Sequence, residues 1–296
     1  MPSLGTIGFE RVNLNNIPHD HYFRFLQAWL DKNIVEGRFL DYVTVNGLPI
    51  HFNTNFKNVG INFSGGADST MLMYMLAKII EHLKCDTKLV PLSVIRFSDT
   101  SDFSEVVKEK IHAYLSNLFP SIIQPVVWGF IPTPFENTPI KNLTILDNKS
   151  KREFQNLIDV NATSDVLYFR YFNNWVSKKY LLNAIYDGTT TNPAYAKDIP
   201  NSPKFRQATE RLFNFSPSIF KNEFFKNLTS ILPFERVEKS WVTAQYSNFD
   251  LEELFDMTES CPVTKGGCNE LNNCFHCAER NWSIENKIYY LSDKQL

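Results

Sequence analysis

Residues 59–76 read VGINFSGGADSTMLMYML, in which a short apolar run, Val59–Phe63, ends in a polar turn with two glycines. A strongly apolar segment with helical character, Thr70–Leu83, follows this turn directly. The order predicts a buried strand, a tight loop and a helix whose N-terminus presents free backbone N–H groups and a partial positive charge. Such a helix start predicts a binding site for an anion, and for phosphate in particular.

The residues of the loop fit a phosphate that binds together with a divalent cation. Gly65 and Gly66 permit positive φ angles and let a phosphate approach the backbone closely, up to Ala67 at the start of the helix. Since Asp68 would repel a bare phosphate, its carboxylate predicts a Mg²⁺ ion between the two. Three further residues can donate hydroxyl hydrogen bonds to phosphate oxygens: Ser64, Ser69 and Thr70.

The loop is not a Walker A motif, because no Gly-x-x-x-x-Gly-Lys-Ser/Thr sequence occurs in it. The pattern Ser-Gly-Gly-x-Asp-Ser after a strand resembles instead the PP-loop of the ATP pyrophosphatase superfamily. Those enzymes cut ATP between the α and β phosphates and transfer AMP to a substrate oxygen. A structural alternative is a serine-rich helix N-cap that follows a buried strand and binds no ligand.

Composition and charge are those of an ordinary soluble globular protein. The chain has 296 residues, of which 43% are hydrophobic and 21% charged, with a formal net charge of -2. This balance gives no electrostatic case for a nucleic-acid or membrane partner. The sequence shows neither a signal peptide nor an apolar run of membrane-spanning length, so we expect a cytoplasmic protein.

The sequence divides into three regions, 1–57, 58–193 and 194–296. The first predicts a small α+β cap, with a helix from Asp20 to about Lys32 and a hairpin turning at Asn46-Gly47. The second predicts a doubly wound parallel sheet, because strands and helices alternate. Its elements are the strands Val59–Phe63, Leu89–Phe97 and Ile122–Gly129 and the helices Thr70–Leu83 and Ser104–Leu118.

A proline-rich loop over 131–141 follows this alternation, and we predict a helical region from there through Tyr186 and then a polar loop over 187–193. The third region predicts helical pieces and loops up to Pro233. Helices over 239–246 and 250–257 then lead into a cluster of cysteines.

Four of the five cysteines lie close together near the C-terminus: Cys261, Cys268, Cys274 and Cys277. Four thiolates in so short a segment can bind Zn²⁺ tetrahedrally, and a closed site of this kind is structural. An iron–sulfur cluster, a ligand role for His276 and a set of unliganded core cysteines remain alternatives. The crowding favours a metal site in a reducing compartment over a disulfide framework.

The loop and the cysteines together resemble the 7-cyano-7-deazaguanine synthase family of queuosine biosynthesis. Residues 258–261 look like that family's Thr-x-Ser-Cys segment, and Arg280 matches the arginine that follows its last zinc ligand. Pro233 and Lys239 fall where the family has a proline and then a lysine that opens a helix. The resemblance implies an adenine-nucleotide alpha-hydrolase-like fold, bound ATP, Mg²⁺ and Zn²⁺, and a homodimer.

The resemblance also implies a reaction. The enzyme adenylylates the carboxylate of a small substrate, ammonia converts the adenylate to an amide, and a second activation gives a nitrile. Catalytic roles are expected for Ser64 and Asp68, and for Lys178 (or its neighbour Lys179) and Lys239 as cations near the phosphates or the carboxylate. The backbone around Ile95 is expected to read adenine, and Gly188 to border the nucleotide. The acceptor pocket is expected to include Thr189, Thr190 and Asn192.

Two other functions remain open. A sulfur-transfer enzyme would use the same AMP activation, and an iron cluster in place of zinc would favour it. A non-catalytic nucleotide-binding module would bind ATP without releasing pyrophosphate.

Overall fold

The computed structural model describes residues 42–96, 102–131, 164–190, 219–221, 229–234, 237–260 and 275–291. At its centre is a six-stranded sheet of order β5-β4-β3-β6-β8-β7, in which only β7 runs antiparallel to its neighbour. Its strands are β3 (Asn58–Asn62), β4 (Lys88–Arg96), β5 (Val127–Ile131), β6 (Ala184–Asp187), β7 (Ile219–Lys221) and β8 (Thr229–Ile231). A separate hairpin consists of β1 (Tyr42–Val45) and β2 (Leu48–His51).

Helices connect and cover these strands. They are α1 (Ala67–Leu83), α2 (Asp102–Leu118), α3 (Ser164–Lys179), α4 (Lys239–Asn248), α5 (Glu252–Met257) and α6 (Phe275–Asn286), which continues into a 3₁₀ turn over Lys287–Tyr290. In the part of the chain that the structure describes, none of these helices is long and apolar enough to cross a membrane.

Strand β3 shows why helices pack on both faces of the sheet. Val59 and Ile61 are fully buried and belong to the same apolar cluster as α1. Gly60 points to the opposite face, as does Gly129 of β5. Helix α3 packs on that face, because a methyl group on Gly129 would lie 2.8 Å from the ring of Phe172. Both faces are therefore covered, and the predicted doubly wound, mostly parallel sheet is confirmed.

The strand order creates a crevice beside β3. From β3 the chain moves to one side, to β4 and β5, and then returns to the other side, to β6 and β8. The direction of winding thus reverses between β3 and β6. In open α/β sheets, ligands bind at such a reversal, outside the carboxyl ends of the strands.

The structure corrects the predicted helical region that ran through Tyr186. Helix α3 ends at Lys179, and residues 184–187 form β6, which pairs with β3 on the opposite side from β4. This strand has four residues, of which Ala184, Ile185 and Tyr186 are buried. A strand this short and buried on both faces shows no alternation of polar and apolar residues, so its sequence does not distinguish it from the end of a helix.

Two more boundaries differ from prediction. Strand β5 begins at Val127, not Ile122, and Ile123 forms only an isolated bridge with Leu89. Strands β7 and β8 come from the region expected to contain helices and loops, yet they extend the same sheet. The sheet therefore continues past the boundary predicted at residue 193.

The predicted hairpin is confirmed. Its turn residues Asn46 and Gly47 have φ angles of 44° and 79°, as a two-residue turn between twisted strands requires. Apolar side chains of the hairpin join the main core, and the Tyr186 hydroxyl donates a hydrogen bond of 2.8 Å to the His51 carbonyl. The helix predicted over 20–32 lies outside the described residues.

Candidate functional site

The loop between β3 and α1 presents the N-terminus of a helix toward the crevice. Gly65 has a φ of 79°, a left-handed conformation that favours glycine. Gly66 occupies the N-cap position in extended conformation, and no side chain caps the helix there. The backbone N–H groups of the first turn are therefore oriented to meet an anion.

Hydroxyl groups fix the shape of this loop. The Ser64 and Ser69 Oγ atoms lie 3.0 Å apart, and the Ser64 backbone N–H donates to Ser69 Oγ at 3.2 Å. Ser69 Oγ in turn lies 3.2 Å from the Gly66 carbonyl, to which it can donate. Hydrogen bonds of the two serines thus close the loop, and Ser64 is exposed at its surface.

Gly188, the residue directly after β6, packs against the start of α1. A methyl group on Gly188 would lie 3.0 Å from the carbonyl carbon and oxygen of Asp68 and from the backbone nitrogen of Ser69. Because these are backbone atoms, they cannot move aside as a flexible side chain would. The close packing of β6 against the loop therefore requires glycine at this position.

Asp68 belongs to a buried chain of charges. Lys239 Nζ, on α4, lies 3.3 Å from Asp68 Oδ2 and 2.8 Å from Glu279 Oε2 on α6. The side chains of Lys239 and Glu279 are only 8% and 5% exposed, whereas that of Asp68 is 21% exposed toward the crevice. Lys239 therefore forms an ion pair with Asp68 but is not itself among the described residues that line the crevice.

Burial and charge act in opposite directions on this pair. Burial raises the pKa of Asp68 from its ordinary value of 3.8 to about 6, although the positive charge of Lys239 lowers it. Burial alone would lower the pKa of Lys239, but the negative charges of Asp68 and Glu279 outweigh it and raise that pKa. Lys239 therefore remains protonated at neutral pH, and Asp68 is ionised.

A second carboxylate, Asp187, ends β6 beside the loop. Its Oδ2 accepts a hydrogen bond of 2.9 Å from Asn62 Nδ2, and its Oδ1 accepts one of 2.9 Å from the Thr189 backbone N–H. Asp187 lines the same cavity as Asp68. The sequence reading placed Asp187 in a polar loop, because it missed the strand that this residue terminates.

The cavity itself lies at the reversal of winding, over the carboxyl ends of β3, β4 and β6. Its volume is about 390 Å³, within the range of small-molecule sites. The residues that line it are Asn62, Phe63, Ser64, Asp68, Ser69, Leu92, Val94, Lys108, Asp187, Gly188 and Thr189.

Lys108 is a lining residue that the sequence reading did not single out. It lies on α2, is 6% exposed, and its side chain passes over the loop so closely that a methyl group on Gly65 would be 2.9 Å from its Cγ. The signal was in the sequence: Lys108 shares one helical face with Ile111 and Leu115, both fully buried. A lysine on an apolar face is an exception that requires an explanation.

The segment before the predicted metal ligands touches the loop. The Glu259 backbone N–H donates a hydrogen bond of 3.1 Å to the Gly65 carbonyl. Arg280 holds this segment from α6, donating at 2.8 Å to Thr258 Oγ1 and at 3.0 Å to the Phe255 carbonyl. The loop is thus linked to residues immediately before Cys261.

The structure does not bring Lys178 to this site. Lys178 is exposed near the end of α3, and the carbonyl of Tyr180, two residues further on, accepts a hydrogen bond of 3.0 Å from Asn58 Nδ2. Asn58 begins β3, whereas the loop follows the last residue of that strand. Lys178 therefore lies near the amino ends of the strands, whereas the loop lies at their carboxyl ends. This position corrects the predicted role of Lys178 near the phosphates.

The remaining predicted residues are placed as follows. The backbone of Ile95 pairs with Phe130 near the end of β4, next to the cavity-lining Val94. Cys277 lies in the first turn of α6, whereas residues 261–274, with the other three predicted zinc ligands, lie outside the described residues, as does Asn192. Within the described parts of the chain, no group of three or more metal-binding side chains occurs.

Fold and site together define an α/β protein in which a strand–loop–helix turn lies at the reversal of winding. No protein-family model and no curated protein matches the chain. The chain is similar to the U34-tRNA thiolase NcsA from Methanococcus maripaludis with its 4Fe–4S cluster, at 14% identity and a TM-score of 0.38, covering 79% of this chain and 69% of that one.

Two further solved structures show similarity of the same order. One is NAD+ synthetase from Burkholderia pseudomallei, with 9% identity, a TM-score of 0.33, and coverage of 92% of this chain and 90% of that one. The other is a 4-thiouridine synthetase–RNA complex with bound ATP, with 11% identity, a TM-score of 0.35, and coverage of 79% of this chain and 53% of that one. Similarities this low do not assign a function to the chain.

Proposed function

We propose that the chain is an ATP-dependent enzyme that transfers AMP to a substrate carboxylate and releases pyrophosphate. The observation that carries this proposal is the uncapped N-terminus of α1, which meets the carboxylates of Asp68 and Asp187 in one cavity. Backbone N–H groups at a helix start bind phosphate oxygens, and carboxylates bind the divalent cation that accompanies a nucleotide.

The donor set fits Mg²⁺. Asp68 Oδ1 is buried and has no hydrogen-bond partner among the described residues. This carboxylate oxygen is therefore available to bind a cation. Asp187 contributes a second carboxylate in the same cavity. Mg²⁺ bound here would neutralise phosphate charge, in particular the charge that develops on the departing pyrophosphate.

The loop residues act on the departing group. A carboxylate oxygen of the acceptor attacks the α-phosphorus, and the bond from that phosphorus to the bridging oxygen breaks. The electron pair leaves with pyrophosphate, whose growing negative charge faces the first N–H groups of α1 and the hydroxyls of Ser64 and Ser69. Because the loop packs closely against Lys108 and Gly188, little reorganisation is needed during the step.

The finer proposal concerns what happens to the adenylate. A carboxylate reacts poorly with ammonia because its oxygen is a poor leaving group, whereas an acyl adenylate releases AMP readily. We therefore propose a C–N ligase similar to 7-cyano-7-deazaguanine synthase, which forms an amide or a nitrile with ammonia. A structural Zn²⁺ on the four cysteines, a homodimer and a cytoplasmic location belong to the same proposal.

Product analysis tests the proposed reaction. The protein is mixed with Mg²⁺, ATP, ammonia and a panel of heteroaromatic carboxylates, and pyrophosphate, AMP and the adenylate are measured by enzyme-coupled assay and mass spectrometry. We expect equal amounts of AMP and pyrophosphate, dependent on the carboxylate. Formation of ADP and phosphate instead, or no cleavage with any carboxylate although ATP binds, would contradict the proposal.

Sulfur transfer is the second candidate, and the position of Cys85 limits it. Cys85 follows the C-terminal end of α1, while the loop precedes its N-terminal end. A helix of 17 residues is about 25 Å long, so Cys85 cannot deliver sulfur to an acceptor at the loop. Sulfur chemistry would have to use the cysteines of 261–277, and iron in place of zinc on metal analysis would favour it.

A further inference from the structure

Glu279 is a buried carboxylate to which the proposed chemistry gives no role. It lies on α6, its side chain is 5% exposed, and its Oε2 accepts a hydrogen bond of 2.8 Å from Lys239 Nζ. It is not among the described residues that line the cavity. Removing an ionised carboxylate from water is costly, so its presence in the interior requires an explanation.

Neutralising Lys239 does not by itself explain Glu279. Asp68 already pairs with Lys239, so two carboxylates share one ammonium and the buried chain of charges keeps one negative charge in excess. The next residue on α6, Arg280, donates to Thr258 Oγ1 and to the Phe255 carbonyl, and it forms no described ion pair with either carboxylate. The excess charge therefore remains on the chain.

The distances show where the excess charge is presented. Lys239 Nζ is hydrogen-bonded to Glu279 at 2.8 Å but lies 3.3 Å from Asp68 Oδ2, and Asp68 Oδ1 has no described hydrogen-bond partner. Asp68 is also the member of the chain that lines the cavity. Glu279 thus satisfies most of the lysine, and Asp68 keeps a charge that is only partly neutralised.

We infer that Glu279 is a positioning residue that gives the cavity its affinity for a divalent cation, an inference that rests on the proposed function. By holding Lys239, Glu279 limits the lysine to one oxygen of Asp68 and offsets its positive charge. Asp68 then keeps the negative charge that Mg²⁺ requires of its carboxylate ligands. Without the charge of Glu279, Lys239 would neutralise Asp68 and repel the metal ion.

A change of one charge tests this role. Glu279→Gln removes the negative charge but keeps the shape and an oxygen that can accept a hydrogen bond from Lys239. Glu285→Gln is the matched control, because Glu285 is exposed on the same helix. Binding of Mn²⁺, which replaces Mg²⁺ as the probe, is measured by electron paramagnetic resonance, alone and with a non-hydrolysable ATP analogue. Circular dichroism checks that each variant is folded.

We expect Glu279→Gln to bind Mn²⁺ about 10- to 100-fold more weakly than the wild type, as loss of a charge in a site of low dielectric constant predicts. Binding of the analogue without metal should not weaken, because the substitution makes the cavity less negative. Glu285→Gln should bind Mn²⁺ within about twofold of the wild type, since solvent screens an exposed charge.

A second substitution separates the charge from a merely structural role. Lys239→Met together with Glu279→Gln removes one charge of each sign and leaves Asp68 with its own negative charge. The double variant should therefore recover most of the Mn²⁺ affinity that Glu279→Gln loses, although it lacks both buried partners. A carboxylate that served only to stabilise the fold would give no such recovery.

Two results would overturn the inference: equal Mn²⁺ affinity in Glu279→Gln and the wild type, or a double variant that binds Mn²⁺ as weakly as Glu279→Gln. In either case the proposed function stands if the wild type binds Mn²⁺ with the analogue, and its metal site fails as well if the wild type does not. Should a variant not fold, a crystal structure of the wild type with Mn²⁺ decides. The inference requires the metal on Asp68 with Lys239 still hydrogen-bonded to Glu279, and a lysine that leaves Glu279 would refute it.

Discussion

Replacing Asp68 with asparagine should make the ligand-free protein more stable and abolish ATP cleavage. Burial raises the pKa of Asp68 in the folded protein from 3.8 to about 6, even though Lys239 opposes this change. An acid whose pKa is higher in the folded than in the unfolded state costs stability when it is ionised. The cost begins as the pH rises through the unfolded pKa and is complete above the folded one.

The size of this cost follows from the two pKa values. Their difference corresponds to about 3 kcal/mol of unfolding free energy at pH 8, and to almost none below pH 4. Asparagine carries no charge, and Lys239 keeps its second partner, Glu279, at 2.8 Å. We therefore expect Asp68→Asn to exceed the wild type in stability by up to about 3 kcal/mol at pH 8, with the difference vanishing toward pH 4.

Urea unfolding of both proteins at pH 4, 5, 6 and 8 measures this difference, and Asp86→Asn, which removes an exposed carboxylate, controls for the change in net charge. Pyrophosphate release at pH 8 is measured on the same samples. A stability difference that does not change with pH would refute the reasoning about burial. Wild-type turnover in Asp68→Asn would refute the proposed role of the carboxylate.

Further substitutions probe the packing, the charges and the metal site. Gly188→Ala should destabilise the protein by about 1–3 kcal/mol and weaken ATP binding, because its methyl group meets backbone atoms of the loop at 3.0 Å. Gly60→Ala, which meets core side chains at 2.9–3.1 Å, should lower the melting temperature but leave ATP affinity unchanged; equal affinity losses would contradict this. Lys239→Met should cost about 3–5 kcal/mol in urea unfolding, since it leaves two carboxylates without their cation, and a loss below 1 kcal/mol would argue against the buried pair. Cys274→Ser should reduce zinc content measured by mass spectrometry; full zinc occupancy would remove this residue from the ligand set.

The sequence predicted those parts of the fold in which a pattern is long or chemically specific. The apolar run before Ser64 and the helical segment after it appear as β3 and α1, and Asn46-Gly47 forms the expected turn. Strand β6 could not be predicted, because four buried residues show no periodicity. The two short strands after residue 193 were missed because each has only three residues, too few to show an alternating pattern.

The sequence also could not predict which charged side chains form ion pairs with one another. Asp68, Lys239 and Glu279 come from three helices that only the tertiary fold brings together, and residues 68 and 279 are far apart in the chain. Lys178 was expected to be a cation near the phosphates or the carboxylate, but it lies before β6, whereas Gly188 and the cavity lie at the end of that strand. Lys108 could have been found from its position on the apolar face of α2.

A crystal structure with Mg²⁺ and a non-hydrolysable ATP analogue tests the central claim most directly. We predict that the β and γ phosphates lie against the backbone of residues 64–69, with the metal bound by Asp68. A nucleotide bound elsewhere, or a loop that remains empty at millimolar concentrations of the analogue, would contradict it.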